Sequence, residues 1–194
     1  MADIGLPFPI KRIRERGRGF PINPLSRFPP ALRKAAEGSR ALRAYLEGLP
    51  IEEIGVPQFY PELSRKLANL TRRNLIYPIK QGLYVHIYPD PADNRDYYVP
   101  ITPEIPVDLG NLLAEIDLRL LDYAEEIGQA EEDQRAGLFL RCLDSICTTR
   151  PGQNNGLLHV TPPQMEAIRY MTIRDKVGMG ALDPLILDSY IEDI

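Results

Sequence analysis

From Ala31 to Leu49 the apolar positions Leu32, Ala35, Leu42, Tyr45, Leu46 and Leu49 recur three, four or seven residues apart. That period gathers them on one stripe of an α-helix and leaves Arg33, Lys34, Arg40 and Arg43 on the other faces. Gly48 followed by Pro50 predicts the end of that helix. A short second helix is predicted from Pro61 to about Leu70, with Leu63, Leu67 and Leu70 inward and proline well placed at its first position. The period then shortens to two. In NLIYPIKQGLYVHIYPD, Leu83, Val85 and Ile87 alternate with Tyr84, His86 and Tyr88, which predicts a strand. PDPADNR is a turn cluster, and DYYVPITPEI reads as a second strand that Pro100 and Pro103 confine to an edge or end. An antiparallel hairpin is expected, and two strands alone are marginal in water, so the sheet needs a helix layer or further strands.

Helical periodicity returns after the hairpin. Leu109, Leu112, Leu113, Ile116, Leu120, Tyr123, Ala124 and Ile127 form one long stripe, with Asp108 as N-cap and Gly128 just past its end. Ala136, Phe139, Leu140, Leu143, Ile146 and Cys147 form another, so a two-helix hairpin is expected. RPGQNNG is a loop that also sets His159 before the next helix. TPPQ then carries a capping-box signature, with Thr161 as N-cap, Pro162 at the first position and Gln164 reaching back. That helix is predicted to run to about Val177 and to stop in Gly178-Met179-Gly180.

Residues 1–30 have no such period. Gly17, Gly19, Asn23 and four prolines from Pro21 to Pro30 predict an extended arm. The expected organisation is a basic Pro-rich arm over 1–30, a small helical module over 31–72 and an α+β domain over 73–194. The class is α+β, mainly helical with a small antiparallel sheet. The chain ends on Ile194 after alternating aliphatic and acidic residues, so the sheet is expected to be completed by residues beyond that end.

Charge changes this picture more than composition does. Residues 1–50 carry 10 Lys+Arg against 4 Asp+Glu, residues 51–100 carry 6 against 6, and residues 101–194 carry 7 against 17. A basic front and an acidic back imply different neighbours for each. Lys11, Arg12, Arg14, Arg16 and Arg18, with Arg33, Lys34, Arg40 and Arg43, are candidate contacts to a partner or to an anionic membrane surface, each adding about 1 kcal/mol near such a surface. No apolar run approaches the roughly 20 residues of a membrane span, and the short apolar stretch after Met1, broken by Pro7 and Pro9, is not expected to act as a signal peptide. The two cysteines, Cys142 and Cys147, read as buried thiols of one helix in a reducing cytoplasmic compartment.

Catalytic signatures are missing from these residues. GxxxxGK[ST], GxGxxG and GxSxG do not occur. His86 and His159 have no neighbour at metal-ligand spacing, and Asp183, Asp188, Glu192 and Asp193 lack the alternating ligands and glycine of a calcium loop. Neither a catalytic residue nor a metal site is assigned.

The stretch YMTIRDKVGMGALDPLILDSYIEDI, Tyr170 to Ile194, resembles a segment of the type II/type IV secretion ATPase superfamily, above all its archaeal members that drive pilus, archaellum and secretion assembly. The resemblance rests on Arg174-Asp175, Gly178 and Gly180, Asp183-Pro184-Leu185, Asp188 and Ile191-Glu192-Asp193-Ile194. LYVHIYPD and YVPITPEI resemble the superfamily's paired strands more weakly, with Thr102-Pro103 where Glu-Pro is usual. Lys176 stands where an aromatic is usual, and Ser189-Tyr190 replace Pro-Asn. The resemblance implies an N-terminal regulatory and docking domain of a hexameric ATPase, with a membrane platform protein and the rest of the hexamer as partners. It implies a location peripheral to the cytoplasmic membrane. ATP and magnesium would belong to the full-length protein, whose phosphate loop would lie beyond Ile194, and the quoted motif residues would act structurally. The alternative reading is an adaptor that binds nucleic acid or phosphate through its basic arm, against which the acidic overall balance weighs.

Overall fold

The computed structural model describes residues 23–63, 73–80, 82–90, 95–103, 109–150, 152 and 156–191. The α+β class expected from the sequence is what it shows. The chain forms two compact units, Met1–Ile101 and Thr102–Ile194, whereas the hydrophobic pattern placed its boundary between residues 72 and 73. The reason is that the sheet shares its core with the preceding helices.

In the first unit a 3-10 turn, Leu25–Arg27, leads into α1 (Pro30–Glu37), α2 (Arg40–Glu47) and α3 (Ile51–Ile54). The single helix expected from Ala31 to Leu49 is thus two. Gly38 closes α1 through its N–H to Ala35 C=O at 3.2 Å, and Ser39 opens α2 by accepting from the Leu42 N–H at 3.2 Å. A C-terminal glycine followed at once by an N-capping serine breaks the rod, and both pieces still turn Leu32, Ala36, Ala41, Leu42 and Leu46 into one core. The expected arm is corrected over its last residues too. Asn23 is buried and its amide donates to the Leu49 C=O at 2.6 Å and the Leu46 C=O at 3.3 Å, while Phe28 is part of the core. Asn23 therefore holds carbonyls that the end of α2 leaves without helical partners.

The sheet has the order β1-β2-β3-β4, with β1 (Gln58–Phe59) parallel to β2 (Leu75–Lys80) and antiparallel pairing of β2 with β3 (Leu83–Pro89) and of β3 with β4 (Asp96–Ile101). The segment expected to give one strand gives two, and β4 is an edge strand, as its proline suggests. Register fixes the faces. The pairs Ile76 with His86, His86 with Val99, and Tyr88 with Tyr97 lie on the face that packs on α1–α3. Leu75, Tyr77 and Val85 lie on the other face and are also buried, with Tyr60, Ile87 and Tyr98 around them. Residues 64–72, which include most of the predicted helix at Pro61–Leu70, lie outside the described residues.

The second unit holds α4 (Leu109–Leu120), a 3-10 turn (Leu121–Tyr123), α5 (Ala124–Gln129), α6 (Glu132–Ile146), the short parallel pair β5 (Cys147–Thr148) and β6 (Leu158–His159), α7 (Pro162–Lys176), a second 3-10 turn (Gly180–Leu182) and α8 (Asp183–Leu187). Its core joins Ile116 and Leu120 of α4, Leu143 and Ile146 of α6, Val160, and Ala167 and Ile168 of α7. Three expectations change here. The one long helix over Leu109 to Ile127 is α4, a 3-10 turn and α5, and Gly128 lies inside α5 rather than past its end. Cys147 sits in a strand rather than in the helix of Cys142, and His159 sits in β6 rather than a loop. Both thiols are free and buried, and burial pushes the Cys147 thiol up to about 11. The capping box is formed as read. Thr161 accepts from the Gln164 N–H at 3.4 Å, and the Gln164 side chain accepts from the Thr161 N–H at 2.8 Å. Thr161→Ala is expected to cost about 1 kcal/mol in urea denaturation, because the Gln164 N–H loses its acceptor at the helix start. Among the described residues no helix is long and apolar enough to cross a membrane.

Candidate functional site

The motif residues converge on the turn that follows α7. In the last turn of that helix the Arg174 guanidinium meets the Asp175 carboxylate side-on, Nε to Oδ1 at 2.6 Å and Nη2 to Oδ2 at 3.1 Å, and its carbon lies 5.7 Å from the centre of the Tyr170 ring. Lys176 pairs with Asp117 of α4 at 3.1 Å. The helix then closes, with the N–H groups of Val177 and Gly178 both directed to the Ile173 C=O, at 3.0 and 2.8 Å.

Gly178 lies against both Asp183 and the Arg174 carbonyl. A Cβ on Gly178 would overlap the Asp183 carboxylate, whose Cγ would be 2.8 Å away, and would stand 3.1 Å from the Arg174 carbonyl oxygen. Asp183 Oδ1 uses that closeness to accept from the Met179 N–H at 3.2 Å. Gly180 then takes φ +62°, a left-handed conformation that glycine adopts at little steric cost. Pro184 is buried in the first turn of α8, and Asp188, 2 % exposed, ends the run. Its Oδ1 accepts from the Tyr190 N–H at 3.0 Å while its carbonyl accepts from the Ile191 N–H at 3.1 Å, an Asx-type closure. Asp188→Ala should cost about 1 kcal/mol, since the Tyr190 N–H loses the acceptor that closes this turn; thermal melts of the two proteins at neutral pH measure it.

Asp175, Asp183 and Asp188 each hold a protein partner, and among the described residues no group of three or more His, Cys, Asp or Glu is arranged to hold a metal ion. Glu192, Asp193 and Ile194 lie outside the described residues, as do Lys11, Arg12, Arg14, Arg16 and Arg18.

The remaining basic candidates split between two helices. Arg33 is half-buried and Lys34 exposed on α1, while Arg40 and Arg43 are exposed on α2. Arg43 is engaged by Glu47 one turn on, at 3.0 Å. Such an exposed pair contributes little to stability and leaves the arginine available to a stronger anion.

One polar constellation was not legible as a unit. His86 of β3 is fully buried between Tyr45 of α2 and Asn74 at the start of β2. His86 Nδ1 lies 2.8 Å from the Tyr45 hydroxyl, His86 Nε2 lies 2.8 Å from Asn74 Oδ1, and the Asn74 amide N–H donates to the Ile54 C=O at 2.7 Å. The last bond orients the amide, so Oδ1 must accept from the imidazole. His86 therefore carries its proton on Nε2 and accepts the Tyr45 O–H at Nδ1, a neutral ring with both nitrogens satisfied. Burial holds its pKa down to about 3 and drives that of Tyr45 far above the usual phenol range, with Tyr88 adding to the latter. The chain of bonds ties α2, α3, β2 and β3 together and occupies both ring nitrogens of His86.

No protein-family model matches the chain. It is similar to an uncharacterized protein of Methanocaldococcus jannaschii, 28% identical over 179 residues, a match that takes in 84% of this chain. The chain spans 32% of the length of that relative.

Proposed function

We propose that this chain is a regulatory and docking domain for an assembly ATPase of the type II/type IV secretion kind, coupling ATP-driven motion to a membrane platform protein. The observation that carries the reading is the run from Arg174 to Ile191. Its residues resemble the superfamily's segment, and Arg174, Gly178, Gly180, Asp183 and Asp188 each have a steric or hydrogen-bonding role in one turn. A segment so built conveys position rather than chemistry, which suits a domain that follows a motor. The archaeal relative is longer, and about two thirds of it lies outside the part this chain spans. ATP and magnesium would be held by that motor, and no residue named here is assigned to them. The basic residues 11–18, with Arg33, Lys34, Arg40 and Arg43, are the candidate contacts to the membrane side, placing the domain at the cytoplasmic membrane surface.

The test is ATP hydrolysis by the full-length gene product with and without membranes that carry its platform protein. Magnesium-dependent hydrolysis that rises on adding those membranes is the expected result. A purified product that hydrolyses no ATP overturns the reading.

A further inference from the structure

α4, the 3-10 turn Leu121–Tyr123 and α5 follow one another with right-handed helical backbone at Leu120 and Ala124 and a looser Tyr123 between them (φ −106°, ψ 6°), so side chains three and four apart lie near one face along this stretch. One face is spent on the core through Leu109, Ile116 and Leu120, with Leu112, Leu113, Tyr123 and Ile127 packed against it. The opposite face, Asn111, Ala114, Leu118, Leu121, Asp122 and Glu125, is exposed throughout. Leu118 and Leu121 are 63% and 67% exposed, one turn apart, where an outward helical face ordinarily carries polar side chains.

Acidic side chains outnumber basic ones around these two leucines. Asp122, Glu125 and Glu126 flank them, and Glu131, Glu132 and Asp133 follow at the start of α6. The nearby cations are already engaged. Lys176 holds Asp117 at 3.1 Å, and Arg119 holds Glu115 at 2.9 Å and the Gly156 carbonyl. Among the described residues no Lys or Arg pairs with Asp122, Glu125 or Glu126. An apolar pair inside an acidic field selects its partner. Anionic lipid is repelled, and a second copy placed about a two-fold axis would set these carboxylates against their own equivalents.

We propose that the Leu118–Leu121 face of α4–α5 docks a basic amphipathic helix of a protein partner. The partner's apolar stripe would cover the two leucines while its Lys and Arg side chains meet Asp122, Glu125 and Glu126. This deepens the docking reading above and rests on it for the partner's class, because the cytoplasmic segments of membrane proteins carry an excess of Lys and Arg.

The experiment uses the whole chain and a fluorescent synthetic peptide of Leu and Lys, with its leucines on one helical face, against a scrambled peptide of the same composition. Anisotropy should show binding of the amphipathic peptide alone, weakening as salt rises. Leu118→Ser combined with Leu121→Ser should weaken binding by at least about tenfold. Asp122→Asn combined with Glu125→Gln should weaken it and flatten its salt dependence. All four positions are exposed, so melts of the variants should match the parent within about 0.5 kcal/mol. Equal binding of the scrambled peptide, or no loss in the serine variant, overturns the proposal. So does a dimer in sedimentation, or binding to anionic vesicles, that the serine substitutions abolish. Failure here leaves the hydrolysis test of the motor reading untouched. A product without ATPase activity that still binds the peptide would instead retain the surface and lose the motor.

Discussion

Lowering the pH from 7 to 5 is expected to cost this protein about 2 kcal/mol of folding stability through His86 alone. Burial keeps the folded-state pKa near 3, while an unfolded histidine titrates near 6.5. Below 6.5 the unfolded chain binds a proton that the folded chain refuses, so stability is complete above that value and declines as the pH falls toward 3. The slope approaches about 1.4 kcal/mol per pH unit inside that window. His86→Gln separates this effect from the general protonation of carboxylates. A glutamine amide can donate to Asn74 and accept from Tyr45, yet it does not titrate. Urea titrations at pH 7, 6 and 5 followed by tyrosine fluorescence should show the variant losing about 2 kcal/mol less than the parent across this range. Equal slopes would mean that His86 is not held neutral in the folded protein. His86→Ala should be far more damaging, by about 3–5 kcal/mol, because it opens a cavity and strands the Tyr45 hydroxyl and Asn74 Oδ1 without partners.

The same histidine shows where sequence reading stops. Alternation along YVHIY placed His86 on a face with Tyr84 and Tyr88, and the structure keeps that arrangement. Nothing local could tell that Tyr45, 41 residues earlier, supplies the hydroxyl on that face. Local devices were legible because their partners are close in sequence, as in the Thr161–Gln164 capping box. The Gly38-Ser39 break has an equally local signal, but the stripe from Leu32 to Leu49 masks it by continuing in phase on both sides. The boundary at Ile101 was hidden for a tertiary reason. Ile76, Tyr88 and Ile101 face α1 and α2, and only the folded register reveals that the sheet belongs with those helices. Asn23 and Phe28 were read as arm residues because prolines suppress any period around them, although each finds a buried place more than local pattern can specify. Of the candidate site, the glycines and aspartates of the C-terminal turn were visible as turn formers, while the two outward leucines on α4–α5 went unmarked. A stripe analysis counts inward positions and has no term for an apolar residue on the wrong side.

That C-terminal turn supplies the second large effect, a coupling between Gly178 and Asp183. Gly178→Ala is expected to destabilise the second unit by about 1–3 kcal/mol, since the new methyl group must displace the Asp183 carboxylate and crowd the Arg174 carbonyl. Asp183→Ala alone should cost about 1 kcal/mol, through loss of the acceptor for the Met179 N–H at an exposed helix start. If the glycine exists to make room for that carboxylate, the double variant must be less damaged than the sum of the two, because the methyl then enters space the carboxylate has left. A double-mutant cycle in urea should give a coupling of about 1 kcal/mol in that direction. Simple additivity would assign the cost of Gly178→Ala to the Arg174 carbonyl and the helix end. A favourable coupling would identify Gly178 and Asp183 as one steric unit, so that a chain keeping one of them has reason to keep the other. On that account the Gly-x-Gly and Asp-Pro-Leu elements five residues apart form a single device, one that sets the direction in which the chain leaves α7.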